Sequence, residues 1–210
     1  MTPAIEAVYE ELLVRASEGA LADRAREARA AFTTRTGAFP QDHPGRPARD
    51  AAAWEDALVR GGVAAELAAG LEDPSEQGIA DVIARAQRGL FQLGSASEHR
   101  FLRELWRGGA FALIPRDDVA RGEAVASSGD ALLVARIVAG SDGCAVLPGR
   151  LWLPADATPL VVALLPAARE RGLDADAFLD ALLRMEHALA TMSRVKAAYA
   201  FRPAALDRHA

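Results

Sequence analysis

The first 89 residues carry apolar positions with the period of an α-helix. At the start of the chain these positions recur three or four residues apart on one helix face: Ile5, Val8, Tyr9, Leu12 and Leu13. Similar stripes follow Pro47 and the sequence DPSE, in which Asp73 suits the N-cap and Pro74 the first helical position. The pattern predicts a helical N-terminal part over residues 1–89.

From residue 90 the pattern changes to short apolar segments that are rich in aromatic and β-branched residues. Glycine or charged turns separate them: LFQL, RFLRELW, GAFALI, DALLVARIVAG and CAVLPGRLWLP. Segments of this kind are typical of β-strands. We therefore predict a small antiparallel β-sheet or partly closed barrel in the middle of the chain, over residues 90–154. The pair Gly108-Gly109 permits a tight turn, which predicts a hairpin over residues 100–114.

The helical period returns at residue 155. Asp174 is a natural N-cap, and apolar residues follow it at alternating spacings of four and three: Phe178, Leu182, Met185, Leu189, Met192, Val195 and Tyr199. No glycine or proline interrupts this stripe, so it predicts one long C-terminal helix over residues 174–200. The same spacing is typical of helices that dimerise.

Together these regions predict an α+β fold. A chain of 210 residues is long enough to bury a sizeable core. Regions 1–89, 90–154 and 155–210 are expected to pack as one compact unit, with the C-terminal helix docked on the N-terminal helices.

Charge and composition narrow the range of functions. The net charge is −5 and no region is strongly basic, which argues against general nucleic-acid binding because such binding depends on neutralising phosphates. Lys196 is the only lysine, so we attribute the high arginine content to a GC-rich, bacterial-type coding sequence. The chain starts without a basic apolar signal, and its most apolar run, LVVALL, is too short to cross a bilayer. We expect a soluble cytoplasmic protein without membrane contact.

Sequence templates for catalysis and cofactor binding are missing. Cys144 is the single cysteine, and no two of the four histidines stand three or four residues apart. His187 follows Glu186 on the polar side of the predicted C-terminal helix, where the two side chains do not converge, and His209 lies near the last residue. There is no nucleophile elbow and no glycine-rich phosphate loop. We therefore expect no metal and no cofactor.

The segment TGAFPQDHPGR, at 36–46, concentrates chemically able side chains between two predicted helices: Asp42, His43 and Arg46. Asp42 could orient the imidazole of His43 for acid–base chemistry. Alternatively, prolines stiffen the segment into a surface loop that presents a binding surface. We favour the second interpretation, in which Phe39 and Trp54 are buried anchors and His43 is partly exposed.

Three functions remain open. The first is a non-enzymatic protein-interaction or regulatory module, which would self-associate through the C-terminal helix as a homodimer or bind a protein partner through four residues: Asp42, His43, Arg46 and Trp106. The second is a small enzyme with an acid–base site around Asp42 and His43, with Glu55 as a further carboxylate. The third is a nucleic-acid binder on the β region, which requires an uncovered tryptophan beside arginines on one exposed face: Arg100, Arg103, Arg107 and Arg150. We favour the first because the catalytic and cofactor templates are missing.

Overall fold

Five helices form the first part of the chain. A computed structural model describes residues 1–96, 99–114, 131–140, 143–192 and 196–207. The N-terminal helices are α1 (Pro3–Ser17), α2 (Ala22–Thr36), α3 (Arg46–Val59), α4 (Val63–Ala68) and α5 (Pro74–Ala84). Thr2 and Asp73 cap α1 and α5 through side-chain oxygens that accept backbone N–H groups. The predicted helical N-terminal part is confirmed.

The middle of the chain forms a curled antiparallel half-barrel. Its strands are β1 (Gln87–Ala96), β2 (His99–Glu104), β3 (Ala110–Ala112), β4 (Leu132–Gly140), β5 (Gly143–Val146) and β6 (Leu151–Trp152). The strand order is β3-β2-β1-β4-β5, and β6 pairs with β4. The long strand β1 pairs with β4 through its first half and with β2 through its second half. A parallel bridge between Leu113 and Cys144 brings the two ends of the sheet together. The antiparallel sheet and its partial closure are as predicted.

The hairpin predicted over residues 100–114 is also confirmed. Strands β2 and β3 pair in antiparallel register, and the Glu104 amide donates to the Gly109 oxygen at 3.0 Å. Gly108 and Gly109 have φ values of 83° and 110°, which side chains disfavour. The glycine pair is therefore needed for the turn.

Successive residues of the sheet pack alternately into two different apolar clusters. On β4, Leu133, Ala135 and Ile137 pack within the half-barrel. Leu132 and Val134 point the other way and pack with the C-terminal helices. The N-terminal helices bury a further cluster of their own against β4 and β5. The sheet thus lies between its own small core and the helical layers.

The C-terminal helices pack against this second face of the sheet. They are α6 (Thr158–Glu170), α7 (Ala175–Thr191) and the short α8 (Ala197–Ala200). Asp174 caps α7 as predicted, by accepting a hydrogen bond from the Ala177 amide. The first members of its apolar stripe are buried, and α7 packs against α2. Among the described helices none is both long and apolar enough to cross a membrane.

The C-terminal helix is shorter than its apolar stripe predicts. It ends at Thr191, and Met192 adopts an extended conformation with φ −95° and ψ 119°. The reason is that the later stripe positions do not meet the core: Met192 and Tyr199 are 57% and 68% exposed. Instead, α8 and the following Phe201 turn back to pack on that core. Val195, also part of the stripe, lies outside the described residues.

Closure of the half-barrel depends on Gly143. Its φ is 130°, and a Cβ there would lie 2.7 Å from the backbone oxygen of Ala112 on β3. We expect Gly143→Ala to lower the free energy of unfolding by about 1–3 kcal/mol, measured by urea denaturation. Gly140 pairs with Gly143 and is the matched control, because a Cβ there comes no closer than 3.6 Å to another atom. Gly140→Ala should change stability by less than about 1 kcal/mol. Equal losses in the two variants would contradict the role of Gly143.

Candidate functional site

A group of charged side chains lies where three helices meet the sheet. Its members come from α2, α3 and α7 and from β1 and β4: Arg35, Arg49, Glu55, Asp56, Arg88, Arg136, Asp180 and Glu186. All of them are buried except Arg35 and Glu186, which are half-buried. We call this group the buried charge cluster. Burying a charge is costly unless the charge is paired and hydrogen-bonded, so the partners of each group decide what the cluster does.

Arg35 bridges two buried aspartates. Its Nη2 donates to Asp56 at 2.6 Å and its Nε donates to Asp180 at 2.9 Å. Each aspartate uses its other oxygen to accept from an arginine of the sheet, Asp56 from Arg136 and Asp180 from Arg88, both at 2.7 Å. Charge-assisted bonds of this kind are strong, and here they tie α2, α3 and α7 to β1 and β4.

Arg49 extends the cluster toward the loop between α2 and α3. It is buried, forms an ion pair with Glu186 and donates to the carbonyl oxygens of Thr36 and Leu183 at 3.4 Å. Its guanidinium lies 5.1 Å from the centre of the Phe39 ring. Burial lowers the pKa of Arg49 and raises the pKa of Glu186, while their mutual attraction opposes both shifts.

Glu55 is buried beside the turn that precedes β6. Its carboxylate accepts a hydrogen bond from the Gly149 amide, and a side chain at position 149 would collide with it. Burial raises the pKa of Glu55 to about 7, although the hydrogen bond and the positive charge of Arg136 oppose the shift. The cavity here measures about 10 Å³, room for at most one water molecule. No substrate fits beside Glu55, and we assign this carboxylate a structural role.

The loop between α2 and α3 holds three of the four predicted binding residues. The rings of Phe39 and His43 stack in parallel, 4.1 Å apart, and His43 Nδ1 accepts a hydrogen bond from a loop amide at 3.0 Å. Asp42 is exposed, and within the described part of the chain it makes no hydrogen bond to His43. Arg46 pairs with Asp50 at 3.2 Å. Asp42 therefore does not orient the imidazole of His43, as the enzyme hypothesis requires.

The two residues predicted to anchor this loop differ in how deeply they are buried. Phe39 is buried, with 8% of its surface exposed, as predicted. Trp54 is only half-buried, which corrects the prediction that it is a buried anchor. Helix α3 turns Ala53 and Ala57 toward the core, so position 54 lies at the edge, where the guanidinium of Arg29 covers the indole at 4.0 Å from its centre.

Trp106, the fourth predicted binding residue, packs on the C-terminal helices. Its ring stacks on Phe178 with 5.0 Å between the centroids, and the guanidinium of Arg169 lies 5.2 Å from the indole. Arg100 and Arg103 stand three residues apart on β2 and so on opposite faces of the sheet. The described residues therefore do not form the uncovered tryptophan beside arginines that the nucleic-acid hypothesis requires.

A groove that the sequence did not reveal lies beside α7. It has a volume of about 470 Å³ and is bounded by the end of α2, the second half of α7 and the segment 197–205. Its apolar wall consists of Met185, Ala188, Met192, Ala200 and Ala205. Its polar groups are Thr34, Arg184, His187, Tyr199 and Arg202. We call it the apolar groove.

His187 joins the apolar groove to the loop. Its Nε2–H donates to the Ala38 oxygen at 2.8 Å, across 149 positions of sequence. The ring lies against Gly37, where a Cβ would come within 2.5 Å of it, and the Phe39 ring is 5.1 Å away. Only the fold brings these residues together, so local spacing around His187 could not identify its partner.

A second groove, of about 370 Å³, shares Thr34 and Arg184 with the apolar groove. Charged side chains dominate its lining: Arg35, Arg60, Asp174, Asp176 and Asp180. We call it the polar groove. Arg184 therefore stands where an apolar and a charged concave surface meet.

No protein family, no curated protein and no solved structure matches this chain. Among the residues that the structure describes, histidine, cysteine and carboxylate side chains form no group of three or more that could hold a metal ion. The two grooves and their side chains are therefore the basis for assigning a function.

Asp180 is central to the buried charge cluster, whereas Asp176 on the same helix is not. Asp180 is 4% exposed and pairs with Arg35 and Arg88. Asp176 is about half exposed and lies 3.8 Å from Arg88. We expect Asp180→Ala to lower the free energy of unfolding by about 3–5 kcal/mol, because it removes the close partner of the buried Arg88 and one of the two partners of Arg35. Asp176→Ala should cost less than about 1 kcal/mol. Similar urea-denaturation midpoints for the two variants would refute this difference.

Glu55 should make stability depend on pH. Its pKa is about 7 in the folded chain against an ordinary value of 4.5, so the folded state holds a proton that the unfolded state has lost. The stability that this proton binding contributes is fully present below pH 4.5 and is lost as the pH rises to about 7. Over this range Glu55 lowers the free energy of unfolding by at most about 1.4 kcal/mol per pH unit.

Glu55→Gln keeps an acceptor for Gly149 and removes the titrating group. We expect its free energy of unfolding to rise relative to that of the wild type between pH 5 and pH 7, in urea titrations at several pH values. Glu10→Gln, at an exposed position on α1, is the control and should leave the pH dependence unchanged. Parallel pH curves for the Glu55→Gln protein and the wild type would rule out this role.

Proposed function

We propose that the protein is a non-enzymatic binding module that takes a small molecule with an apolar body into the apolar groove. The groove itself carries the proposal. At about 470 Å³ it falls in the range of small-molecule sites, which are concave, mostly apolar and supplied with a few polar groups. Met185 and Met192 suit such a site because unbranched thioether side chains adapt to different shapes. A module of this kind could be regulatory, the class favoured by the sequence.

A binding role fits the apolar groove better than a catalytic role. His187 is the lining residue best suited to acid–base chemistry, and its Nε2–H is already donated to the Ala38 carbonyl. Among the described lining residues there is no carboxylate, cysteine or serine for His187 to activate. His43 and Glu55, which the enzyme hypothesis combines, lie in separate surroundings, one in the loop and the other beside β6.

A protein partner is the second candidate ligand. Met192 and Tyr199 line the apolar groove and are 57% and 68% exposed. Exposed apolar side chains next to a stiff loop are typical of protein-recognition surfaces. The contacts predicted from the sequence for such a partner stay a prediction. They would be made by Asp42, His43, Arg46 and Trp106.

Self-association through the C-terminal helix would use the same exposed surface. The stripe that favoured a dimer is buried within the chain at Phe178, Leu182 and Met185. The apolar surface left for a second copy is therefore the end of the stripe, at Met192 and Tyr199. A homodimer would cover the apolar groove and compete with a small molecule.

Filling the apolar groove tests the primary proposal. Ala188 lines the groove, while Ala190 is exposed on the same helix and is not among the lining residues. We expect the wild type to bind the neutral fluorophore N-phenyl-1-naphthylamine, whose emission rises in apolar surroundings. Ala188→Trp should weaken this binding about tenfold or more, and Ala190→Trp should leave it unchanged. Fluorescence titration measures the affinity, and melting curves confirm that both variants fold.

Equal binding by the wild type and both variants would put the fluorophore elsewhere and overturn the proposal. The second candidate would take its place if the wild type bound no fluorophore but associated with increasing concentration in sedimentation velocity. Tyr199→Asp should then abolish that association, because it puts a charge on the exposed apolar surface.

A further inference from the structure

Arg184 differs from the arginines of the buried charge cluster because it has no carboxylate partner among the described residues. Its Nη1 donates to the backbone oxygen of Arg35 at 3.0 Å, but its Nε–H is buried without an acceptor. Asp180, whose charge acts on Arg184, forms ion pairs with Arg35 and Arg88 instead. Within the described part of the chain no carboxylate comes within the 4.0 Å of an ion pair with Arg184.

This unpaired guanidinium lies where the two grooves meet. Arg184 and Thr34 line both the apolar groove and the polar groove. Arg202 adds a second positive charge to the apolar groove, and it too forms no ion pair among the described residues. The described lining of the apolar groove therefore includes two arginines and no carboxylate.

The acidic side chains of the polar groove contact groups other than Arg184. Asp180 accepts from two arginines. Asp174 caps α7 through the Ala177 amide, and Asp176 faces Arg88 at 3.8 Å. The charge of Asp180 favours the charged form of Arg184, but within the described residues none of these three carboxylates comes within the 4.0 Å of an ion pair with Arg184.

We propose that the ligand of the apolar groove is an amphipathic anion whose charged head accepts hydrogen bonds from Arg184. The inference rests on the proposed function, and it adds the chemical class of the ligand: an apolar body with a carboxylate, sulfonate or phosphate head. The body lies along Met185 and Ala188, and the head lies at the junction of the grooves.

The energetics favour an anion over a neutral ligand of the same shape. Partial burial disfavours the charged guanidinium and lowers the pKa of Arg184. An oxyanion at the junction offsets this cost through its charge and can accept hydrogen bonds from the accessible part of the guanidinium. A neutral body in the same place would fill the groove without offsetting that cost. Arg184 therefore sets the preference for charge, while the apolar wall sets the preference for shape.

Two fluorophores test the charge preference separately from groove binding. 8-Anilino-1-naphthalenesulfonate and N-phenyl-1-naphthylamine share one aromatic body, and the first carries an additional sulfonate. Arg184→Gln should weaken binding of the sulfonate roughly tenfold to a hundredfold, the usual effect of losing a hydrogen bond to a charged group. The same variant should change the affinity for the neutral fluorophore less than about twofold.

Arg26→Gln is the matched control for the loss of one positive charge. Arg26 is exposed on α2, pairs with Asp23 and lines neither groove, so the affinities for both fluorophores should stay at their wild-type values. Arg184→Lys should restore part of the sulfonate affinity. Circular dichroism checks folding. Should Arg184→Gln not fold, the exposed Arg202→Gln carries the test and should also weaken only the sulfonate.

The outcomes separate this inference from the proposed function. If Ala188→Trp removes binding of both fluorophores but Arg184→Gln and Arg202→Gln affect them equally, the groove binds ligands and the anion assignment is overturned. If Ala188→Trp affects neither fluorophore, the proposed function fails and the anion assignment fails with it.

Discussion

The bridge from Arg35 to Asp56 and Asp180 is the interaction on which the arrangement of helices and sheet depends. One guanidinium from α2 satisfies a carboxylate from α3 and another from α7, and Arg136 and Arg88 of the sheet occupy the remaining oxygens. An apolar contact tolerates a small shift between two elements, but a buried carboxylate that loses its partner does not. We infer that this pairing fixes the position of three helices on β1 and β4 more narrowly than apolar packing would.

The same pairing builds the walls of the apolar groove. Arg35 holds α2 beside α7 through Asp180, and Arg49 holds the start of α3 beside α7 through Glu186. These ties leave a concave surface between the end of α2 and the second half of α7. Arg184 projects from α7 at the border of this surface without a carboxylate of its own among the described residues. Arg35 and Arg49 have carboxylate partners, and this contrast is the reason for proposing an anionic ligand at Arg184.

Local signals in the sequence predicted most of the fold. The caps at Asp73 and Asp174, the glycine pair at 108–109 and the change of period at residue 90 depend on residues close together in the chain. The end of α7 could not be predicted because a stripe marks one face of a helix but does not say where the core beside it stops. The prediction that Trp54 is buried was wrong for the same reason. A position on a helix is buried only where another element covers it. The buried charge cluster and the apolar groove unite residues from distant parts of the chain, and a single sequence carries no signal for such pairs.

The loop that appeared most reactive in the sequence also supports the apolar groove. The Phe39 ring contacts both the His43 ring and the guanidinium of Arg49. The carbonyl oxygen of the preceding Ala38 accepts a hydrogen bond from the Nε2–H of His187. Gly37 allows the imidazole to approach the backbone, where a side chain would collide with it. The prolines and stacked rings therefore hold one carbonyl in place for His187, and His187 in turn forms part of the groove wall. The stiffness of the loop therefore acts on the side of α7 that lines the apolar groove.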